Sequence, residues 1–222
     1  MVYWELKIAK MYRIVFLILS SCCVICCTDD KNSAIELPYY NAPDFTPQFI
    51  KNKTEVQQKI THTIANFAFL NQDSSIITQQ VVEGKIHVAN FIFTSCGSIC
   101  PNMTSNMKMI SNEFNNNKDL VILSYSVTPW IDLPFVLKKY KQRNNIDNPN
   151  WHFLTGSRSA IYNLARKSYF AEEDIGFSKD STDFLHTEHF ILVDQSKRIR
   201  GIYNGTLALE MQQLIKDIKT LY

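Results

Sequence analysis

Apolar and polar positions along this chain repeat in a two-part pattern. A continuous apolar run, Ile86–Phe93, is followed by a stretch in which Met103, Met107 and Ile110 fall on one helical face, extending to Phe114. A second run, Leu120–Val127, precedes Leu133, Val136, Leu137 and Tyr140 at spacings i, i+3, i+4 and i+7. The short run Trp151–Leu154 then leads into Ile161, Leu164, Ala165 and Ser168. Unbroken apolar runs of this length predict buried strands, and the 3.6-residue period between them predicts amphipathic helices. Near the C-terminus, His189–Val193 and Arg198–Tyr203 flank Asp194-Gln195-Ser196-Lys197 and predict a hairpin. Met211, Leu214, Ile215 and Ile218 predict a closing helix. Strands alternating with helices imply an α/β layer with at least one parallel pair, to which the late hairpin adds antiparallel strands.

The first 37 residues break this pattern. Lys7, Lys10 and Arg13 precede the apolar core Ile14–Leu19, and Leu19-Ser20-Ser21-Cys22 has the small-residue signature at which bacterial lipoproteins are cleaved and acylated. The apolar stretch ends by Cys27, short of the ~20 residues that a spanning helix needs. Residues 1–21 are therefore expected to be a lipoprotein-type signal peptide, Cys22 the lipidated residue, 22–37 a polar tether and 38–222 one folded domain. This arrangement places the domain in the cell envelope, lipid-anchored to a bacterial membrane and outside the cytoplasm. An uncleaved membrane anchor is the alternative. Removal of the signal leaves about 200 residues, enough for one well-buried domain. A formal net charge of +2 with no basic stripe excludes nucleic acid as an expected partner.

Export changes the reading of the cysteines, because disulfides persist outside the cytosol. Cys22, Cys23, Cys26 and Cys27 cluster near the N-terminus, so Cys96 and Cys100 are the only thiols of the folded body. They lie in Cys96-Gly97-Ser98-Ile99-Cys100-Pro101, between a predicted strand and a predicted helix, where a helix N-terminus stabilises thiolate charge. A near-helical segment brings residues four apart onto one face and within bridging reach. Two facing thiolates also form a soft site that prefers Cu(I), and a third ligand, most naturally histidine, would raise affinity. The histidines are His62, His87, His152, His186 and His189. His87 is placed far down its strand and His152 lies in another, whereas His186 and His189 precede a strand expected beside the Cys turn. Spacing leaves the choice between them open. Met103 and Met107 share a helix face and are read as core. Cys-x-x-Cys-His is absent, which excludes covalent haem attachment of that type, and no phosphate-cradling Gly-rich loop is visible.

Several ordered motifs resemble the Sco/SenC family of thioredoxin-like copper proteins that serve cytochrome c oxidase assembly. Asn90-Phe-Ile-Phe-Thr-Ser-Cys96-Gly-Ser-Ile-Cys100-Pro101 resembles the family's Cys-x-x-x-Cys-Pro loop. Ser124–Pro129 with Asp132 and Val136–Tyr140, Trp151–Gly156, and His186–Asp194 are similar to further family segments. The resemblance spans roughly residues 62–205 and implies a thioredoxin-like sandwich with a central mixed sheet flanked by helices. It implies copper as the bound ion, with Cys96, Cys100 and His186 as ligands and His189 not a ligand. It further implies a redox pair that forms a disulfide when oxidised, subunit II of cytochrome c oxidase as the target, and a thiol reductant protein as a second partner. Two departures stand out: Thr128 occupies a position often acidic before the proline, and Gly97 one where proline is common. A thiol-disulfide oxidoreductase, with Cys96 attacking and Cys100 resolving, is the alternative function.

Overall fold

The computed structural model describes residues 36–171 and 187–222. Those residues build one mixed sheet from β1 (Tyr39–Tyr40), β2 (Pro47–Gln48), β3 (Ala68–Asn71), β4 (Ile76–Thr78), β5 (Ile86–Ile92), β6 (Leu120–Ser126), β7 (Trp151–Thr155), β8 (His189–Val193) and β9 (Ile199–Asn204). The spatial order is β2-β1-β9-β8-β5-β6-β7-β3-β4. The central β5, β6 and β7 are parallel, while β8 and β9 on one side and β3 and β4 on the other run antiparallel. The helices are α1 (Lys53–Lys59), α2 (Ile99–Glu113), α3 (Pro134–Arg143), α4 (Arg158–Lys167) and α5 (Ala208–Thr220), with a short 3-10 turn at Gln79–Val82. This is the α/β sandwich expected from the alternating pattern.

Both faces of the sheet are covered, which is why β5 and β6 are buried along their whole length. Side chains alternate across a strand, so Ile86, Val88 and Ile92 of β5 join Met103, Met107 and Ile110 of α2, Leu137 of α3 and Leu214 of α5 in one core. Ala89 and Phe91 point the other way, to Ile161, Leu164 and Ala165 of α4. Each fully buried Leu, Ile, Phe or Met contributes about 1.5–3 kcal/mol. Met103 and Met107 are wholly buried, as their helical spacing predicts.

Helix α2 begins at Ile99, four residues earlier than the apolar period alone indicates, because Pro101 fits a first turn whose N–H groups have no intrahelical partner. Helix α1 is capped by Asn52, whose side chain accepts from the backbone N–H groups of Thr54 and Glu55. Strands β1 to β4 and helix α1 have no counterpart in the predicted order of elements.

The two ends of the sheet differ. Strand β8 runs antiparallel to β5 with Val193 opposite His87, so the Asp194–Lys197 turn sits where β5 begins. There Arg200 pairs with Asp194 at 3.3 Å, donates from Nε to the Pro38 carbonyl at 3.0 Å and from Nη2 to the Leu37 carbonyl at 2.6 Å, and stacks over Tyr39. At the other end, the loops that follow β5, β6 and β7 come together with the start of β8 and the end of β9. Cys96 lies there.

Candidate metal centre

Strand β5 ends at Ile92, and a turn through Thr94 and Ser95 delivers Cys96 to the start of α2, with Cys100 one turn into the helix. The loop geometry follows from local bonds. The Cys96 N–H donates to the Phe93 carbonyl at 3.3 Å, and Val127 N–H donates to the Ile92 carbonyl at 2.8 Å, which holds the loop after β6 against the loop after β5. Ser98, at the N-cap position, makes no side-chain capping bond. The helix therefore presents N–H groups that the sulfur of Cys96 can accept.

That arrangement makes the two thiols unequal. Partial burial of Cys96 disfavours its thiolate, yet backbone hydrogen bonds from Cys100, Ser98 and Ile99 and a side-chain bond to Cys100 outweigh this and lower its pKa. Cys100 is almost completely buried. Burial pushes its pKa up to about 12, with Cys96 and the Asp132 carboxylate adding to the rise against a hydrogen bond from the Phe93 backbone. Both are free thiols in the structure, four residues apart at the start of α2. One accessible sulfur inclined to ionise beside one buried sulfur that resists it is a pair suited to thiol exchange. It is equally a soft two-sulfur site that closes on a metal with loss of protons.

Beneath the loop lies a cluster that residue spacing did not reveal. Asp132 is wholly buried and accepts four hydrogen bonds: from Thr94 N–H at 3.2 Å, Thr94 Oγ1 at 2.5 Å, Ser126 Oγ at 2.7 Å and Thr128 Oγ1 at 2.9 Å. Thr94 is two residues from Cys96, so this carboxylate fixes the approach to the loop. The Thr128 hydroxyl, at a position often acidic in the Sco/SenC pattern, serves here as a donor to Asp132. Between α2 and α3, the buried hydroxyl of Tyr140 lies 2.7 Å from Thr104 Oγ1. Burial, followed by the nearby Cys100 and Cys96, raises the Tyr140 pKa against that hydrogen bond.

The histidines separate clearly. His87 is the second residue of β5 and fully buried, with Nε2 3.1 Å from the Tyr169 hydroxyl. His62 lies 2.8 Å from the Ser168 carbonyl and stacks on Phe170. His152 sits partly buried on β7. His189 opens β8 at the same end of the sheet as the Cys loop, packed edge-on against Phe45. His186 lies outside the described residues, as do residues 1–35 with the expected signal peptide and Cys22. Among the described residues no group of three or more His, Cys, Asp and Glu is placed to hold a metal, so the two sulfurs are the part of the site that is seen.

A parallel-centred sheet with a Cys-x-x-x-Cys turn at the C-terminal end of a central strand defines a thioredoxin-like protein with a dithiol site. The SCO1/SenC family model matches residues 55–222, and the chain belongs to that family. It is 32% identical to the SCO1 protein homolog of Bacillus subtilis over 75% of this chain and 86% of that protein. A SCO1/SenC family lipoprotein from Bacillus anthracis superposes with a TM-score of 0.63 at 30% identity, over 73% of this chain and 96% of the other. BsSco, described as a cytochrome c oxidase assembly protein with a disulfide switch, gives 0.60 at 32% identity over 72% and 93%. At fold level only, Bradyrhizobium japonicum ScoI with copper bound gives 0.57 at 21% identity over 72% and 99%.

Proposed function

We propose that this chain is a copper metallochaperone of the cell envelope. It binds copper as cargo through Cys96, Cys100 and His186 and delivers it to the dicopper centre in subunit II of cytochrome c oxidase. The observation that carries the reading is the pair of free thiols at the uncapped start of α2, in a chain of the SCO1/SenC family. Two thiolates match the softness of Cu(I), and an imidazole completes a low-coordinate set that leaves room for an incoming sulfur before an outgoing one departs. The copper-bound relative of the same fold and the relatives' role in oxidase assembly support this choice of ion and target.

The same pair supplies a gate. Oxidation of Cys96 and Cys100 to a disulfide removes two electrons and two protons and leaves no thiolate to donate. A dithiol reductant protein returns the electrons by exchange through Cys96. Residues 1–21 serve as a lipoprotein signal and Cys22 as the anchor, which agrees with the lipoprotein nature of the Bacillus anthracis relative. No helix among the described residues is long and apolar enough to cross a membrane.

Anaerobic copper titration tests the reading. The reduced protein is expected to bind one copper ion, with Cys96→Ser, Cys100→Ser and His186→Ala each weakening binding strongly and His189→Ala having a minor effect. Loss of the site in His189→Ala with retention in His186→Ala overturns the ligand set. Failure of the copper-loaded protein to load a reduced soluble fragment of subunit II overturns the target.

A further inference from the structure

The loop between β6 and α3 turns its large apolar side chains outward. Trp130, Ile131, Leu133 and Phe135 are 52%, 48%, 45% and 58% exposed, while Asp132 between them is wholly buried. The two facts have one cause. Asp132 points inward to collect the hydroxyls of Thr94, Ser126 and Thr128, and the bonds from Ile131 and Asp132 N–H to the Thr128 carbonyl tighten the turn. With Asp132 turned in, its neighbours on either side face solvent. Four large apolar side chains held out around a buried carboxylate are costly in water and mark a contact surface.

The patch adjoins the dithiol loop, since Thr94 is bonded to Asp132 and Val127 to Ile92. Cations stand over its aromatic rings: the Arg158 guanidinium lies 4.9 Å from the Trp130 ring centre, and Lys139 Nζ 5.7 Å from that of Phe135. Lys138 is exposed beside them and paired with Asp73 at 3.1 Å. Lys139 and Arg158 thus place positive charge at the edge of the patch.

We propose that Trp130, Ile131, Leu133 and Phe135, rimmed by Lys139 and Arg158, form the docking surface for the protein that accepts the metal, and that this acceptor presents an apolar contact ringed by carboxylates. The inference rests on the metallochaperone reading. Exchange of a metal between sulfurs requires the acceptor's thiolates to come within bonding distance of Cys96, so the acceptor covers the neighbouring loop, and the positive rim selects an acidic partner. A flat bilayer occupying the same patch would seal the dithiol loop against an acceptor, which favours a protein occupant.

Copper transfer from the full-length chain to two acceptors tests this: a reduced soluble fragment of oxidase subunit II, and dithiothreitol as a small neutral dithiol that needs no docking. Trp130→Ser with Phe135→Ser, and separately Lys139→Glu with Arg158→Glu, are expected to slow transfer to the fragment about tenfold while transfer to dithiothreitol stays at the parent rate. Raising salt from low to high concentration slows the parent's transfer to the fragment and has little effect on the charge-reversed variant. Parent-like transfer by both variants overturns the docking surface and leaves the chaperone reading standing. A parent that loads dithiothreitol but not the fragment overturns the target and the surface together. Equal slowing toward both acceptors assigns the patch to the integrity of the site instead. A dimer that becomes monomeric on Trp130→Ser assigns it to self-association. A shift of Trp130 emission on adding phosphatidylglycerol vesicles, in the absence of the fragment, assigns it to the membrane.

Discussion

The two ends of the sheet solve the same problem in opposite ways. Where β5 begins, charged groups are matched: buried Arg200 is shared between Asp194 and two carbonyls, and half-buried Arg198 donates from Nε to the Ile60 carbonyl. Where β5 ends, the buried carboxylate of Asp132 is equally well matched, but the groups around it are left open. An uncapped helix, a partly exposed thiol and a row of outward apolar side chains share that end. The difference teaches that exposure at the dithiol end does not come from weak local structure. A saturated network directly beneath it holds the exposed groups in place.

The sharpest way to break that contrast is to remove Asp132. Asp132→Ala strands four donors in a buried site, which is expected to cost about 3–5 kcal/mol in denaturant unfolding and to weaken copper binding as the loop relaxes. Asp132→Asn, which keeps the shape and one acceptor oxygen, is expected to recover part of both losses. If copper affinity survives Asp132→Ala unchanged, the carboxylate is structural only.

Arg200→Met opens the closed end by the same logic, leaving Asp194 unpaired and the Leu37 and Pro38 carbonyls without their donor. A loss of about 3 kcal/mol is expected, with copper titration and Cys96 alkylation rate unaltered because the dithiol loop is at the other end. Altered thiol reactivity in this variant would show that the two ends are coupled.

His87, paired in register with Val193, makes the closed end sensitive to acid. Burial lowers its pKa from 6.5 to about 3. The folded state thus resists a proton that the unfolded chain accepts, so this stabilisation is complete above about pH 6.5 and is lost as pH falls toward 3. The slope approaches about 1.4 kcal/mol per unit. Between pH 7 and pH 5 the parent is expected to lose about 2 kcal/mol more than His87→Leu, measured by urea unfolding. Equal slopes would remove His87 from the account. The smallest effect belongs to Lys219, which pairs with Glu113 between the ends of α5 and α2 with both side chains well exposed. Lys219→Gln is expected to change stability by less than ~1 kcal/mol, and less still at high salt.

Much of this was decided locally and so was readable along the chain. The apolar runs of β5, β6 and β7 and the helical periods of α2 to α5 are properties of consecutive residues, as is the placement of Cys96 and Cys100 between a strand and a helix. Pairs such as Met103 with Met107 needed no partner to reveal their side. The two-residue strands β1 and β2 and the short β3 and β4 exist because a neighbouring strand accepts their hydrogen bonds, which no local pattern records. The inequality of the two thiols is likewise tertiary. Cys96 and Cys100 are chemically identical in sequence, and only depth and the direction of backbone N–H groups set their ionisation apart. Asp132 is the clearest case: one acidic residue in an apolar loop carries no local sign of its role. Folding brings Thr94, Ser126 and Thr128 to it from just past the end of β5, the end of β6 and the loop that follows β6, and a buried carboxylate is stable only where such donors converge.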